Sequence, residues 1–277
     1  MNWLGWMVGF VLAILAGYLL DREIWFYEGV HLGPRVQAWL YDRWAKKYDE
    51  DKCASQLRDN EMLAQPLLNE LRAVPEPFIL DFATGTGRLS SALLSRPEFK
   101  GRILALDLSH GMLERAASKL TEYRVRLDLL RHPSLPLPFP DETFDAVCAL
   151  EVLELFPAMD IPLAELSRVL RPGGILLTSR GTEASGRKAK IRSRAQMVEL
   201  LNANGFENIE IAPWWKLFER VMAVKNGESS PVAVRGLERV YLCPQCRQVD
   251  WMRQPEGLKC QHCGHFIAVT QEGIVMG

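Results

Sequence analysis

Three acids and two glycines stand at spacings suited to holding a nucleotide. Residues 81–87 read Asp81-Phe-Ala83-Thr84-Gly85-Thr-Gly87. The two glycines lack Cβ, so this turn can take dihedrals closed to other residues and let its backbone approach a ligand. Asp107 follows about 20 residues later, the interval at which a strand-end carboxylate accepts both hydroxyls of a ribose. Asp128 comes next and, closing a third strand, could accept from an exocyclic amine. A glycine turn alone is weak evidence; the turn with two strand-end acids is much stronger. A dinucleotide is disfavoured, because G-x-G-x-x-G requires glycine at 90 and Ser90 stands there.

A second constellation lies near the C-terminus. Cys243-Pro-Gln-Cys246 and Cys260-Gln-His-Cys263 are separated by 13 residues. Two C-x-x-C turns offer four thiolates to one tetrahedral Zn²⁺ and leave no open position, so the metal is expected to be structural. His262 and His265 read as bystanders. A segment of about 40 residues buries too little apolar surface to order itself, which also favours a metal. Two disulfides are the alternative, and a reducing compartment disfavours them.

Strands and helices must bring these residues together. Residues 78–82 read as a buried strand running into the glycine turn and a helix to about 95. Further strands are expected at 103–107, ending near Asp128, and at 144–150 and 174–179, with helices at 110–120, 161–170 and 194–204. Short strands at 207–212 and 220–224 close the series. Such alternation predicts an α/β fold, a doubly wound, mostly parallel seven-stranded sheet covered on both faces. Its ligands bind at the carboxyl ends of the strands. The expected divisions are 1–22, 23–77 (a helical lead-in), 78–228 (the sheet domain) and 236–277 (the zinc ribbon).

The N-terminal division is expected to be a membrane anchor. Residues 3–20 carry 18 consecutive positions without charge, about 27 Å as a helix against a hydrocarbon core of about 30 Å. Trp3 and Trp6 flank one end and Trp25, Phe26 and Tyr27 the other. Arg22, Arg35, Arg43, Lys46 and Lys47 all follow the run, so the positive-inside rule would put the rest of a single-pass protein in the cytoplasm. The chain's net charge of −1 gives no global attraction to nucleic acid.

The motifs resemble those of class I S-adenosylmethionine-dependent methyltransferases, nearest the ubiquinone/menaquinone-biosynthesis type. Residues 81–87 resemble the family's first motif, and Leu104-Ala-Leu-Asp-Leu-Ser109 with Met112 its second. Leu137-Pro-Phe-Pro-Asp-Glu-Thr-Phe-Asp-Ala-Val147 resembles the fourth strand and its lead-in, and Arg168-Val-Leu-Arg-Pro-Gly-Gly174 the turn before the fifth. Tyr41-Asp-Arg-Trp-Ala-Lys-Lys-Tyr48 resembles the helix that closes over the cofactor there. The resemblance implies a Rossmann-like methyltransferase fold with S-adenosylmethionine as cofactor. It places Asp81, Ala83, Thr84, Gly85 and Gly87 around the methionine moiety, and Asp107 on the ribose. Leu108 and Met112 would flank adenine, Asp128 and Leu129 would meet its edge, and Tyr48 would reach the carboxylate end.

The expected activity is methyl transfer to a membrane-associated or amphiphilic small molecule, a quinone precursor or lipid. The rivals are an RNA methyltransferase using the ribbon to bind nucleic acid, and a membrane adaptor without activity. His110, His132, Glu151 and Glu154 are titratable residues near strand ends, and the sequence singles out none as a base. Arg180, Arg187, Lys188, Lys190, Arg192 and Arg194 form a basic stretch with Glu183 as its one acid. It reads either as a solvated, mobile loop or as a face turned toward an anionic bilayer or a phosphate-bearing head group.

Overall fold

The computed structural model describes residues 3–25, 28–133, 135–185 and 191–277. Helix α1 (Trp3–Trp25) carries the apolar N-terminal run. Helix α2 (Pro34–Gln56) follows, with Pro34 in its first turn, where a missing N–H costs nothing. A π-helical turn (Asn60–Ala64) and α3 (Gln65–Glu70) lead into the sheet.

Strands β1 (Phe78–Phe82), β2 (Arg102–Asp107), β3 (Leu127–Arg131), β4 (Phe144–Ala149) and β5 (Leu170–Gly181) are parallel. They are threaded by α4 (Arg88–Leu94), α5 (His110–Lys119) and α6 (Asp160–Val169). After α7 (Arg194–Ala203), β6 (Phe206–Pro213) and β7 (Phe218–Lys225) close one edge antiparallel. The apolar strand runs FILDF and FDAVCA are buried throughout, as expected of strands covered on both faces. Two apolar layers form, one on each side of the sheet.

The ribbon supplies β8 (Trp251–Gln254), β9 (Gly257–Cys260) and β10 (Phe266–Ala268) as a small antiparallel sheet. Its last strand, β11 (Ile274–Met276), joins the large sheet instead, in the order β11-β3-β2-β1-β4-β5-β7-β6. The sheet therefore has eight strands where seven were expected. Ile274 and Val275 are β-branched and suit a strand, but a run of three is too short to be read as one from the sequence, and pairing with β3 makes it one.

Two further expectations change. Asp128 is the second residue of β3, opposite Leu104, whereas Arg131 ends the strand opposite Asp107. The expected membrane span does not stand: among the described residues no helix is long and apolar enough to cross a membrane. Helix α1 runs on past the apolar stretch into Asp21, Arg22 and Glu23, and Glu23 accepts from the His31 backbone N–H at 2.9 Å. With the span goes the single-pass orientation argued from the basic residues that follow it. Phe26 and Tyr27 lie outside the described residues.

Candidate cofactor and acceptor cavity

The strand order reverses between β1 and β4, and a cavity of about 480 Å³ opens there at the carboxyl ends of the strands. Ala83, Gly85, Asp107, Leu108 and Met112 line it from the β1 and β2 turns; His132, Pro133 and Leu135 line it from beyond β3. Glu151, Glu154, Leu155, Phe156 and Pro157 line it from beyond β4. Helix α2 roofs it with Gln37, Tyr41, Trp44, Tyr48 and Lys52, residues three or four apart and so on one helical face.

The first turn is built for close approach. Ala83 has φ +55°, Gly85 +56° and Gly87 +74°, values that residues with Cβ rarely take. The two glycines do different work. A Cβ on Gly85 would point at the Tyr48 ring, 3.8 Å away, filling cavity space. A Cβ on Gly87 would meet Leu120 Cδ1 at 2.8 Å, so Gly87 admits α5 packing rather than a ligand. Asp81 lies beneath the turn, where its Oδ2 accepts from Thr84 Oγ1 and Ser90 Oγ, both at 2.7 Å. Ser90, which stands where a dinucleotide motif has glycine, thus holds the first-strand acid.

Asp107 is at the cavity floor. Its Oδ2 accepts from Gly85 N–H at 2.7 Å and its Oδ1 from Ser109 N–H at 2.8 Å. Each carboxylate oxygen accepts more than one bond, so capacity remains for two hydroxyls. Burial outweighs these backbone bonds and pushes its carboxyl up to about 6. Tyr48 is shifted too: burial first, then the Glu151 charge, holds its phenol far above the ordinary value, so it remains a proton donor.

Helix α2 is latched at three points. Asp42 Oδ1 accepts from Ser109 Oγ at 2.5 Å and Gly111 N–H at 2.8 Å. Asp49 takes Thr86 Oγ1 at 2.6 Å and Lys119 Nζ at 2.8 Å. Lys52 Nζ meets Glu151 Oε2 at 2.5 Å, and Arg88 Nη1 meets Glu151 Oε1 at 3.0 Å. Arg88 also grips Asp59 in a fork, with Nη2–Oδ1 at 2.8 Å, and Trp214 Nε1 donates to the same Oδ1 at 3.1 Å. Glu151 itself has φ +55°, an uncommon conformation that presents its side chain to this network. Nothing in the sequence flagged Lys52, Asp59, Arg88 or Trp214, since their partners are remote in the chain.

Of the eleven residues expected around the cofactor, Tyr48, Ala83, Gly85, Asp107, Leu108 and Met112 line the cavity. Asp81, Thr84 and Gly87 support its floor. Asp128 and Leu129 are elsewhere: Asp128 pairs with Arg102 Nε at 2.7 Å, and Leu129 is buried among apolar residues on one face of the sheet. His132, one residue past the end of β3, lines the cavity on the side that Asp128 was expected to reach. The basic stretch is partly accounted for. Arg180 Nε and Arg194 Nε bond Glu219 at 2.6 and 3.0 Å, while Arg187, Lys188 and Lys190 lie outside the described residues.

The four ribbon cysteines converge, their Sγ atoms all within 4.8 Å of one another. Cys243–Cys263 and Cys246–Cys260 stand at 3.6 and 3.7 Å. Zn–S bonds of about 2.3 Å give a tetrahedron with edges of about 3.8 Å, so the set fits such an ion. The two turns match: Arg247 N–H donates to Cys243 O at 2.8 Å and Gly264 N–H to Cys260 O at 2.9 Å. Arg247 (φ +61°) and Gly264 (φ +78°) are both left-handed. His262 and His265 are not in the cluster.

Known proteins bear on this site. Residues 79–174 match the family described as "Methyltransferase domain". The chain is 31% identical over 137 residues to a demethylmenaquinone methyltransferase of Symbiobacterium thermophilum, covering 49% of this chain and 55% of that protein. It is 35% identical over 177 residues to human methyltransferase-like protein 27, covering 63% of this chain and 69% of that one. The crystal structure of a SAM dependent methyltransferase from Aquifex aeolicus shares the fold, with a TM-score of 0.54 and 20% identity over 66% of this chain and 98% of that one. The chain spans 55% and 59% of the length of the first two curated relatives it matches. Likeness over more than two thirds of one relative, on a Rossmann-like sheet whose glycine turn and strand-end acid meet in one cavity, makes this chain a member of the S-adenosylmethionine-dependent methyltransferases.

Proposed function

We propose that this protein transfers a methyl group from S-adenosylmethionine to an apolar or amphiphilic small molecule bound in the same cavity. One observation carries the reading: the cavity that receives Gly85 and Asp107 continues past β4 into a wall of Leu155, Phe156, Pro157 and Ile161. Asp107 would accept from the ribose hydroxyls, Leu108 and Met112 would flank adenine, and Gly85 and Tyr48 would border the methionine end. Asp81, Thr84 and Gly87 act from beneath by holding the turn. When bound, the sulfonium supplies an activated methyl. The chain's part is to orient the acceptor in line with it, an effect worth several kcal/mol or more, and to exclude water under α2. Relatives named demethylmenaquinone methyltransferases support an acceptor of quinol character. The ribbon cysteines Cys243, Cys246, Cys260 and Cys263 would hold one structural zinc, to which their spacing is suited.

The acceptor reading is tested with a lipophilic quinol as probe. Phe156→Asp should raise the KM for the quinol at least about tenfold, since a buried charge faces an apolar ligand. It should leave the dissociation constant for S-adenosylhomocysteine unchanged. Equal turnover of the quinol by variant and wild type would remove the apolar wall from the acceptor site.

A further inference from the structure

The C-terminal ribbon is joined to the cofactor side of the cavity through backbone. In β11, Ile274 lies opposite Leu129, Val275 opposite Leu130 and Met276 opposite Arg131. Gly277 N–H then donates to Arg131 O at 3.0 Å. Arg131 is opposite Asp107 in β2, and its Nε donates to Leu108 O at 3.3 Å. His132 N–H donates to Asp107 O at 3.0 Å. The ribbon's last residues therefore grip the strand end that fixes the floor carboxylate.

The other end of this connection is the cysteine cluster. Tyr241 lies two residues before Cys243, is buried, and stacks on Trp251 with ring centroids 5.4 Å apart. Trp251 Nε1 donates to Tyr241 O at 2.6 Å, and Leu242 N–H donates to Pro138 O at 2.8 Å. A Cβ on Gly277 would come within 2.5 Å of the Tyr241 hydroxyl and 3.1 Å of Arg131 O, so the chain end is packed between ribbon and β3. Cys243, Trp251 and Cys260 share one apolar cluster with Leu130, Leu137 and Phe139 of the sheet domain. Without β11, β3 would be a five-residue edge strand, and an edge strand that short frays readily.

We propose that the ribbon is a positioning element of the cofactor site: the cysteine-bound metal orders the ribbon, the ribbon seats β11, and β11 holds β3 so that Asp107 and Leu108 stay in place. This rests on the cofactor reading above. Metal loss is then felt across the sheet, because a ribbon of this size depends on its metal for order.

The test uses the full chain, zinc-loaded or chelator-treated, with two readouts. Amide hydrogen exchange of residues 127–133 is followed without ligand, and S-adenosylhomocysteine affinity is measured by calorimetry. Metal removal should speed exchange in 127–133 while α4 stays protected, and should weaken affinity roughly tenfold or more, the scale of a displaced positioning group. Val275→Pro separates the strand from the metal. Val275 is bridged on both sides, to Leu130 and to Val269, so proline breaks a ladder whichever way its nitrogen faces. This variant should keep its zinc yet show the fast exchange and weak binding of the metal-free protein. Fast exchange within 243–263 after metal removal, with 127–133 and affinity unchanged, overturns the proposal and leaves the cofactor reading intact. Should zinc-loaded wild type bind no S-adenosylhomocysteine, the cofactor reading falls and the affinity clause with it. Exchange at 127–133 still decides in that case whether the ribbon holds β3.

Discussion

Replacing Asp107 by Asn tests the floor of the cavity at nearly constant shape. In the wild type both carboxylate oxygens accept a backbone N–H, from Gly85 and Ser109, and both have capacity left for a hydroxyl. Asparagine keeps one acceptor and sets an NH₂ against one of those N–H donors. At least one charged hydrogen bond to the ribose is lost, about 1.5–3 kcal/mol, or roughly 10- to 150-fold in affinity. The fold should survive, because two effects oppose each other. Burial that pushes the carboxyl up to about 6 means the ionised side chain costs about 3 kcal/mol near neutral pH, and Asn removes that cost while adding a donor–donor contact. Calorimetry with S-adenosylhomocysteine, beside thermal melting, reads both. A folded Asp107→Asn protein with wild-type affinity would refute the assignment of this carboxylate to the ribose.

Four further outcomes follow from the structure. Cofactor affinity should fall by about tenfold per pH unit below 6, as Asp107 takes up a proton and loses acceptor capacity. Ligand-free stability runs the other way for this group: its contribution is fullest below about 4 and is lost as pH rises through about 6, because the folded carboxyl holds its proton more tightly than the unfolded one. Melts that show Asp107→Asn and wild type parallel across that range would contradict it. Glu151→Gln leaves Lys52 and Arg88 facing a neutral amide where each now has a charged partner, and should cost about 3 kcal/mol in urea unfolding; Arg88 keeps Asp59, which places the figure at the low end for a broken buried pair. Elemental analysis of protein purified without chelator should give one zinc per chain, lost in Cys246→Ser, whereas intact disulfides under reducing conditions would contradict a thiolate site.

The legible parts of this molecule are those whose cause is local. The glycine turn, Asp107 and the C-x-x-C pairs carry their geometry in a few adjacent residues, and they converge as their spacing implied. The buried strands announced themselves as apolar runs. Asp128 misled because a carboxylate within Leu127-Asp128-Leu129-Leu130 reads as a strand end when it is an interior strand residue: β3 runs three residues beyond it, and the carboxylate turns to Arg102 instead. The N-terminal run misled because lack of charge was weighed apart from the helix it belongs to, which continues into Asp21, Arg22 and Glu23. The network of Lys52, Glu151, Arg88 and Asp59 joins residues up to 99 positions apart, and β11 exists only because β3 offers it an edge. Tertiary pairing of this kind leaves no periodic trace in the sequence.

Methyl transfer itself is the central claim. The 277-residue chain should be incubated with methyl-labelled S-adenosylmethionine and separately with extracted lipids and quinols and with total RNA, and the label followed into each. The account predicts label in the organic-extractable fraction, dependent on Asp107 and abolished by S-adenosylhomocysteine. Label confined to RNA, or none in any fraction from protein that binds the cofactor, would contradict it.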